Sequence, residues 1–173
     1  MYRKIFVCGL NGAGKSTLGR ALAADLGYQF MDIEDYYFPK TDPNYLYASP
    51  RTREEVEELL KFDVKTHKNC VLAAVKPDFS DEIQKQFDLA IYVRVPREVR
   101  LERVKQRSFN KFGSRMQPGG DLYETEQKFF RSVAERPENL VDEWLKTLSC
   151  PIIEVDGTKA IEENIVILHK MLK

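Results

Sequence analysis

Gly9-Leu10-Asn11-Gly12-Ala13-Gly14-Lys15-Ser16-Thr17 follows the apolar run Ile5, Phe6, Val7, Cys8 and precedes a helical pattern. Gly9, Gly14, Lys15 and Ser16 meet the spacing G-x-x-x-x-G-K-[ST] in the strand, loop and helix setting that binds the phosphates of a mononucleotide. Glycines admit positive φ and close approach. Successive N–H groups from Gly9, Asn11, Gly12, Ala13 and Gly14 through Ser16 and Thr17 can therefore converge on phosphate oxygens. The helix opening near Lys15 aims its positive dipole end at the same anion, and Lys15 adds a mobile charge for the β- and γ-phosphates of the nucleotide. Ser16 is placed to coordinate Mg²⁺. The alternative is a chance glycine turn with a solvated lysine, against which stand four specified positions in the required context.

A second group of chemical residues follows the run Tyr28 to Ile33, which places Asp32, Glu34 and Asp35 at the carboxyl end of a strand, where ligands collect in open α/β sheets. Asp32 could hold Mg²⁺ through water or accept the proton of an attacking hydroxyl; its structural alternative is to cap a turn or helix. Alternate residues leave a strand end on opposite sides, which favours Glu34 over Asp35 beside Asp32. The third group is basic. Arg100, Arg103 and Arg107 recur at i, i+3 and i+7, and Lys111 and Arg115 follow in a segment whose Gly113, Gly119 and Gly120 predict mobility. Arg103, Arg107 and Arg115 are read as a clamp on a moving phosphoryl group, because phosphoryl transfer needs charge stabilisation more than covalent chemistry. Arg97 and Arg100 are read as solvated, with Glu98 and Glu102 as intrahelical partners. Tyr36, Tyr37, Tyr45 and Tyr47 either line an acceptor pocket or form a lid packed on its own core. His67 and His169 read as surface residues and Trp144 as core.

The elements that position these groups alternate along the chain. Leu18, Ala21, Leu22 and Leu26 define a first helix ended by Gly27. Residues 36–50, with Pro39, Pro43 and Pro50, read as an aromatic loop. Thr52 and Glu55 form a capping-box pattern for a helix to about His67 with Val56, Leu59, Leu60 and Val64 inward. Cys70 to Val75 and Leu89 to Val95 are strands, separated by a short helix capped by Ser80. Asp121 and Glu124 predict a capped helix carrying Phe129, Phe130 and Val133, and Pro137 a helix start. Pro151 to Val155 is the last strand and Ile161 to Leu172 the last helix. Five strands interleaved with helices imply a parallel sheet covered on both faces.

At 173 residues, 43% hydrophobic, the chain is long enough for a real core, and it reads as one domain, 1–173. Lys and Arg equal Asp and Glu at 27 each, so no overall field argues for nucleic acid or an anionic membrane. Cys8, Cys70 and Cys150 are unclustered and read as reduced thiols of a cytoplasmic protein, and no long apolar segment suggests a membrane span.

GLNGAGKSTLGRALA, MDIED after the second strand, VPREVRLERVKQR after the fourth and the glycine-rich basic segment together resemble a small P-loop kinase of the adenylate, shikimate and gluconate kinase type. The resemblance covers nearly the whole chain. It implies a three-layer P-loop NTPase fold with a parallel sheet in the order 2-3-1-4-5, ATP with Mg²⁺, a lid at about 108 to 120 and an acceptor-binding region at about 33 to 66. Arg103 and Arg107 match the family's lid-helix arginines, and Asp32 matches the first acid of the D-x-D of shikimate kinases, whose second position is Glu34 here. LAAVKPDF replaces their arginine and Gly-Gly after the third strand, and no acid ends that strand, so metal support falls to Ser16, Asp32 or Asp78. EDYYFPK is similar to the D-x-[FY]-Y segments of uridine kinase-like enzymes, which implies a nucleoside or nucleotide acceptor with Glu34 and Tyr37 beside it. The resemblance thus implies a phosphotransferase, monomeric or homodimeric, acting on a small-molecule acceptor. The alternative is a nucleotide-binding ATPase or switch whose output a protein partner reads.

Overall fold

The computed structural model describes residues 2–172. Strand β1 (Lys4–Cys8) leads through the glycine loop into α1 (Lys15–Leu26), then β2 (Gln29–Asp32), the short α2 (Ile33–Tyr37) and α3 (Arg53–Thr66). β3 (Cys70–Ala74), α4 (Asp81–Gln84) and β4 (Leu89–Arg94) follow, then α5 (Arg97–Phe112) with a 3₁₀ turn (Gly113–Met116). The chain closes with α6 (Tyr123–Glu135), α7 (Leu140–Leu145), β5 (Ile152–Asp156) and α8 (Ile161–Met171). The five strands are parallel in the order β2-β3-β1-β4-β5, as expected. β1 is central, with Val7 opposite Ala73 on one side and Ile91 on the other, so Ile5 to Cys8 are fully buried.

Side-chain alternation along β1 divides the core. Phe6 and Cys8 face α3, α4 and α7, where Val56, Leu60, Val64, Ile83 and Trp144 cover them. The Phe6 ring stacks on Phe87 at 3.7 Å between centroids and meets the edge of Trp144. Ile5 and Val7 face Leu18, Leu22 and Ala23 of α1 and Leu168 of α8. A third, smaller cluster joins Val104 and Phe112 of α5, Met116, Leu122, and Phe130 and Val133 of α6, with Tyr45 and Tyr47 packed against it.

Local signals worked where a side chain had no competing partner. Gly27 takes the left-handed conformation at the end of α1, and Thr52 and Glu55 form both halves of the capping box of α3. Elsewhere tertiary contacts prevailed. Ile33, Tyr36 and Tyr37, placed by sequence in strand and loop, form α2. Asp121 caps nothing because its carboxylate is held by Arg115, so α6 starts at Tyr123 without a side-chain cap. Ser80 likewise makes no capping bond, and Pro137 lies in the turn before α7 rather than in its first position. Leu59 is exposed, unlike its neighbours on α3.

Candidate active site

The glycine loop sits between β1 and α1, with Gly14 in a left-handed conformation (φ 93°) as the N-cap of α1. Gly12 (φ 83°) permits a close approach: a Cβ there would lie 2.2 Å from the carbonyl oxygen of Arg100. The first turn of α5 therefore rests on the loop. Arg100, read from sequence as solvated, is only 3% exposed. Its Nη2 donates to both oxygens of Glu138 at 2.6 and 2.7 Å, its Nε to Val95 O and its Nη1 to Asn11 O. It braces the loop from behind because α5 leaves β4 directly over Asn11.

Lys15 Nζ donates to Leu10 O at 3.2 Å. Burial pushes its pKa down to about 8, helped by Arg107 and opposed by Asp32. Asn11, Gly12, Lys15 and Ser16 line one end of a cavity of about 550 Å³. The other loop residues shape it from outside. Gly9 and Ala13 donate their N–H groups to Val75 O and Leu10 O, Ala13 is buried against the sheet, and Thr17 is exposed on α1.

Asp32 reconciles two readings. Its Oδ1 accepts from Glu34 N–H at 3.1 Å, capping α2, while the side chain lines the cavity and raises the pKa of Lys15. Glu34 and Tyr37 also line it, with Phe38, Tyr45 and Tyr47 from the loop that follows. Glu34 accepts from Tyr47 OH at 3.2 Å and lies 3.8 Å from Lys111 Nζ, which also contacts the Tyr47 hydroxyl. Tyr36 turns away, donating to Asp63. The expected acceptor region at 33–66 narrows accordingly: residues 33–47 contribute lining, whereas α3 packs on the sheet.

The basic stripe of α5 divides by depth. Arg107 lines the cavity and makes no ion pair among the described residues. Arg103 lies apart from it, donating to Gly157 O after β5 at 3.0 Å. Arg115 corrects a sequence expectation. Its guanidinium is engaged by Asp121 (2.6 Å) and Asn44 O (2.7 Å), so it ties the 3₁₀ turn to the aromatic loop and does not line the cavity. The expected lid at 108–120 is likewise only partly a glycine flap: residues 108–112 are the last turn of α5, and Phe112 and Met116 are buried. Asp78 pairs with Lys76 at 2.8 Å and lies outside the cavity, whereas Asp32 and Ser16 line it.

Two cavity residues escaped sequence reasoning. Arg136, at the end of α6, donates to Asn11 Oδ1 at 2.7 Å, and burial lowers its pKa. Nothing local marks it. Glu126, 1% exposed, lines the far end of the cavity. A signal for it existed, since it stands four residues before Phe130 and seven before Val133, on the stripe that α6 buries. The cavity thus mixes the cations Lys15, Arg107, Lys111 and Arg136 with the acids Asp32, Glu34 and Glu126 and with aromatic rings.

Sheet order and glycine loop give the chain the fold of the small P-loop kinases of the shikimate kinase type. The chain belongs to the AAA domain family AAA_18, whose profile matches residues 5–127. It is 27% identical over 173 residues to the Bacillus subtilis (strain 168) protein named "Uncharacterized protein YqaC", covering 95% of this chain and 94% of that one. It is 30% identical over 117 residues to shikimate kinase 2 of Serratia proteamaculans (strain 568), across 61% of this chain and 65% of the relative. The solved shikimate kinase of Acinetobacter baumannii in complex with shikimate superposes with a TM-score of 0.60 at 20% identity, covering 98% of this chain and 92% of that one, a likeness of fold.

Proposed function

We propose that this chain transfers the γ-phosphate of ATP to a hydroxyl of a small, ring-bearing acceptor, of the nucleoside or nucleotide class, held in the cavity between the glycine loop and the aromatic loop. The observation that carries this reading is the single cavity with Lys15 and Arg107 at one end and Glu34, Tyr37 and Tyr47 at the other. A switch protein needs a responsive surface; an enclosed second compartment suits an acceptor better. Lys15 and the N–H groups of the loop, from Gly9 to Thr17, would bind the β- and γ-phosphates, with Arg103 beside the rest of the nucleotide. A Mg²⁺ bound with a nucleotide takes most of its ligands from phosphate oxygens and water and needs few protein groups. Ser16, and Asp32 through water, would hold that ion, which would neutralise phosphate charge.

Asp32 Oδ1 takes the Glu34 N–H, and among the described residues no donor meets Oδ2. Oδ2 is the proposed acceptor of the hydroxyl proton as the new O–P bond forms and the bond to ADP breaks. Arg107 and Arg136 would meet the charge on the moving phosphoryl group. Three free thiols suit a reducing, cytoplasmic setting, and among the described residues no helix is long and apolar enough to cross a membrane. Lys15→Ala should abolish ATP-dependent phosphorylation of a nucleoside, sugar and acid panel and weaken nucleotide binding. Turnover at the parent rate in that variant would refute the reading.

A further inference from the structure

We propose that Glu126 selects the acceptor, by accepting a hydrogen bond from an N–H group carried on its ring; the proposal rests on the kinase reading above. Glu126 sits on the buried stripe of α6, between Leu122 and Phe130, at a position whose neighbours four residues either way are apolar. It is 1% exposed and lines the cavity. Oε1 accepts from Tyr45 OH at 3.0 Å, while Oε2 has no hydrogen-bond partner and no cation forms an ion pair with the carboxylate among the described residues. A buried carboxylate with half its acceptor capacity unused is costly to the fold, and an apolar residue would serve α6 better. The side chain that carries this residual capacity lines a ligand compartment.

The chemistry of the partner follows from what the surrounding groups have left to offer. Tyr45 and Tyr47 both spend their hydroxyl protons on carboxylates, Glu126 and Glu34. Lys111 is drawn to Glu34 and Tyr47. What remains at this end is acceptor oxygen framed by flat rings, including Tyr37 and Phe129. An acidic acceptor would place its carboxylate beside Glu34 and Glu126, where Lys111 is already drawn to Glu34. A flat or ring-shaped molecule with an amide, amino or ammonium N–H meets both the rings and the unpartnered oxygen. Two sources share this chemistry: a nucleobase and an amino sugar.

The test is steady-state phosphorylation with ATP and Mg²⁺ across uridine, cytidine, guanosine, glucosamine, shikimate and gluconate, for the parent protein, Glu126→Gln and Tyr45→Phe. Gln keeps an oxygen for Tyr45 but turns the second acceptor into a donor. The expected result is turnover of a nucleoside or of glucosamine, with the acids inert, and a KM for that acceptor raised about tenfold or more in Glu126→Gln. The KM for ATP and kcat should stay within about threefold, and the ligand-free melting temperature should hold or rise. Tyr45→Phe should raise the same KM less. Which arm responds distinguishes nucleobase from amino sugar. Turnover confined to shikimate or gluconate, turnover of none of the six, an unchanged acceptor KM in Glu126→Gln, or a fall in its melting temperature with ATP and acceptor affected alike would each overturn the assignment. Lys15-dependent nucleotide binding and acid phosphorylation would in that case leave the kinase reading standing, whereas loss of both would end it as well.

Discussion

Burial makes the Lys15 ammonium easier to deprotonate than a solvated lysine. Its pKa of about 8 lies below the ordinary 10.5, so between those values the unfolded chain binds more protons than the folded one. Ligand-free stability should therefore rise with pH through that window and be insensitive to this group below it. Phosphate opposes this shift by favouring the ammonium form. Nucleotide binding at about pH 8.5 should then take up a fraction of a proton, visible in calorimetry as a binding enthalpy that changes with the ionisation enthalpy of the buffer. Equal enthalpies in phosphate-free buffers of different ionisation enthalpy would show that Lys15 is already fully charged. Arg100 is a separate case at the same scale. Arg100→Ala removes a buried guanidinium and strands the carbonyls of Asn11 and Val95, so urea unfolding should show a loss of about 3 kcal/mol. Glu138→Gln should cost less, since Glu138 is half exposed and the backbone acceptors remain.

Elements decide which of the basic residues reach the site. Three arginines along α5 look equivalent at helical spacing, yet Arg100 faces the glycine loop, Arg103 the turn after β5 and Arg107 the cavity. Arg107→Ala should lower kcat by about 100-fold or more with the melting temperature unchanged, as removal of one charge-stabilising donor does. Arg115→Ala should stay within about threefold of the parent, because it trades only a surface ion pair with Asp121 and a bond to Asn44. A large loss in Arg115→Ala would restore it to the site. The contrast explains what was legible in the sequence. The glycine loop, the five strands and Asp32 could be read because their signals are local: apolar runs, fixed spacings and a strand end. Arg100 and Arg136 could not, since their roles depend on which helix face meets which loop across the fold; for Glu126 the spacing on α6 marks burial but not the cavity it lines. The aspartate that sequence assigned to capping α6 was instead claimed by an arginine six residues upstream.

At the scale of the molecule, a central strand buried on both sides carries the stability while chemistry is confined to one edge of the sheet. Phe6→Ala should therefore cost about 4 kcal/mol in urea unfolding, through lost contacts with Phe87 and Trp144, without altering the KM for nucleotide in the folded fraction. A changed KM would mean that packing under the sheet reaches the loop. The way α5 is mounted has a mechanical side. The helix is pinned near its start by Arg100 and Gly12 and free of the sheet at its other end, where Lys111 and Phe112 meet the aromatic loop. It is a lever with its fulcrum on the phosphate loop. Arg107 lies about 10 Å and Lys111 about 16 Å out along the arm at helical rise. A tilt of about 10° would then move Lys111 by about 3 Å and Arg107 by a little under 2 Å, so any rocking about the glycine loop would be geared up into a larger stroke at the aromatic loop.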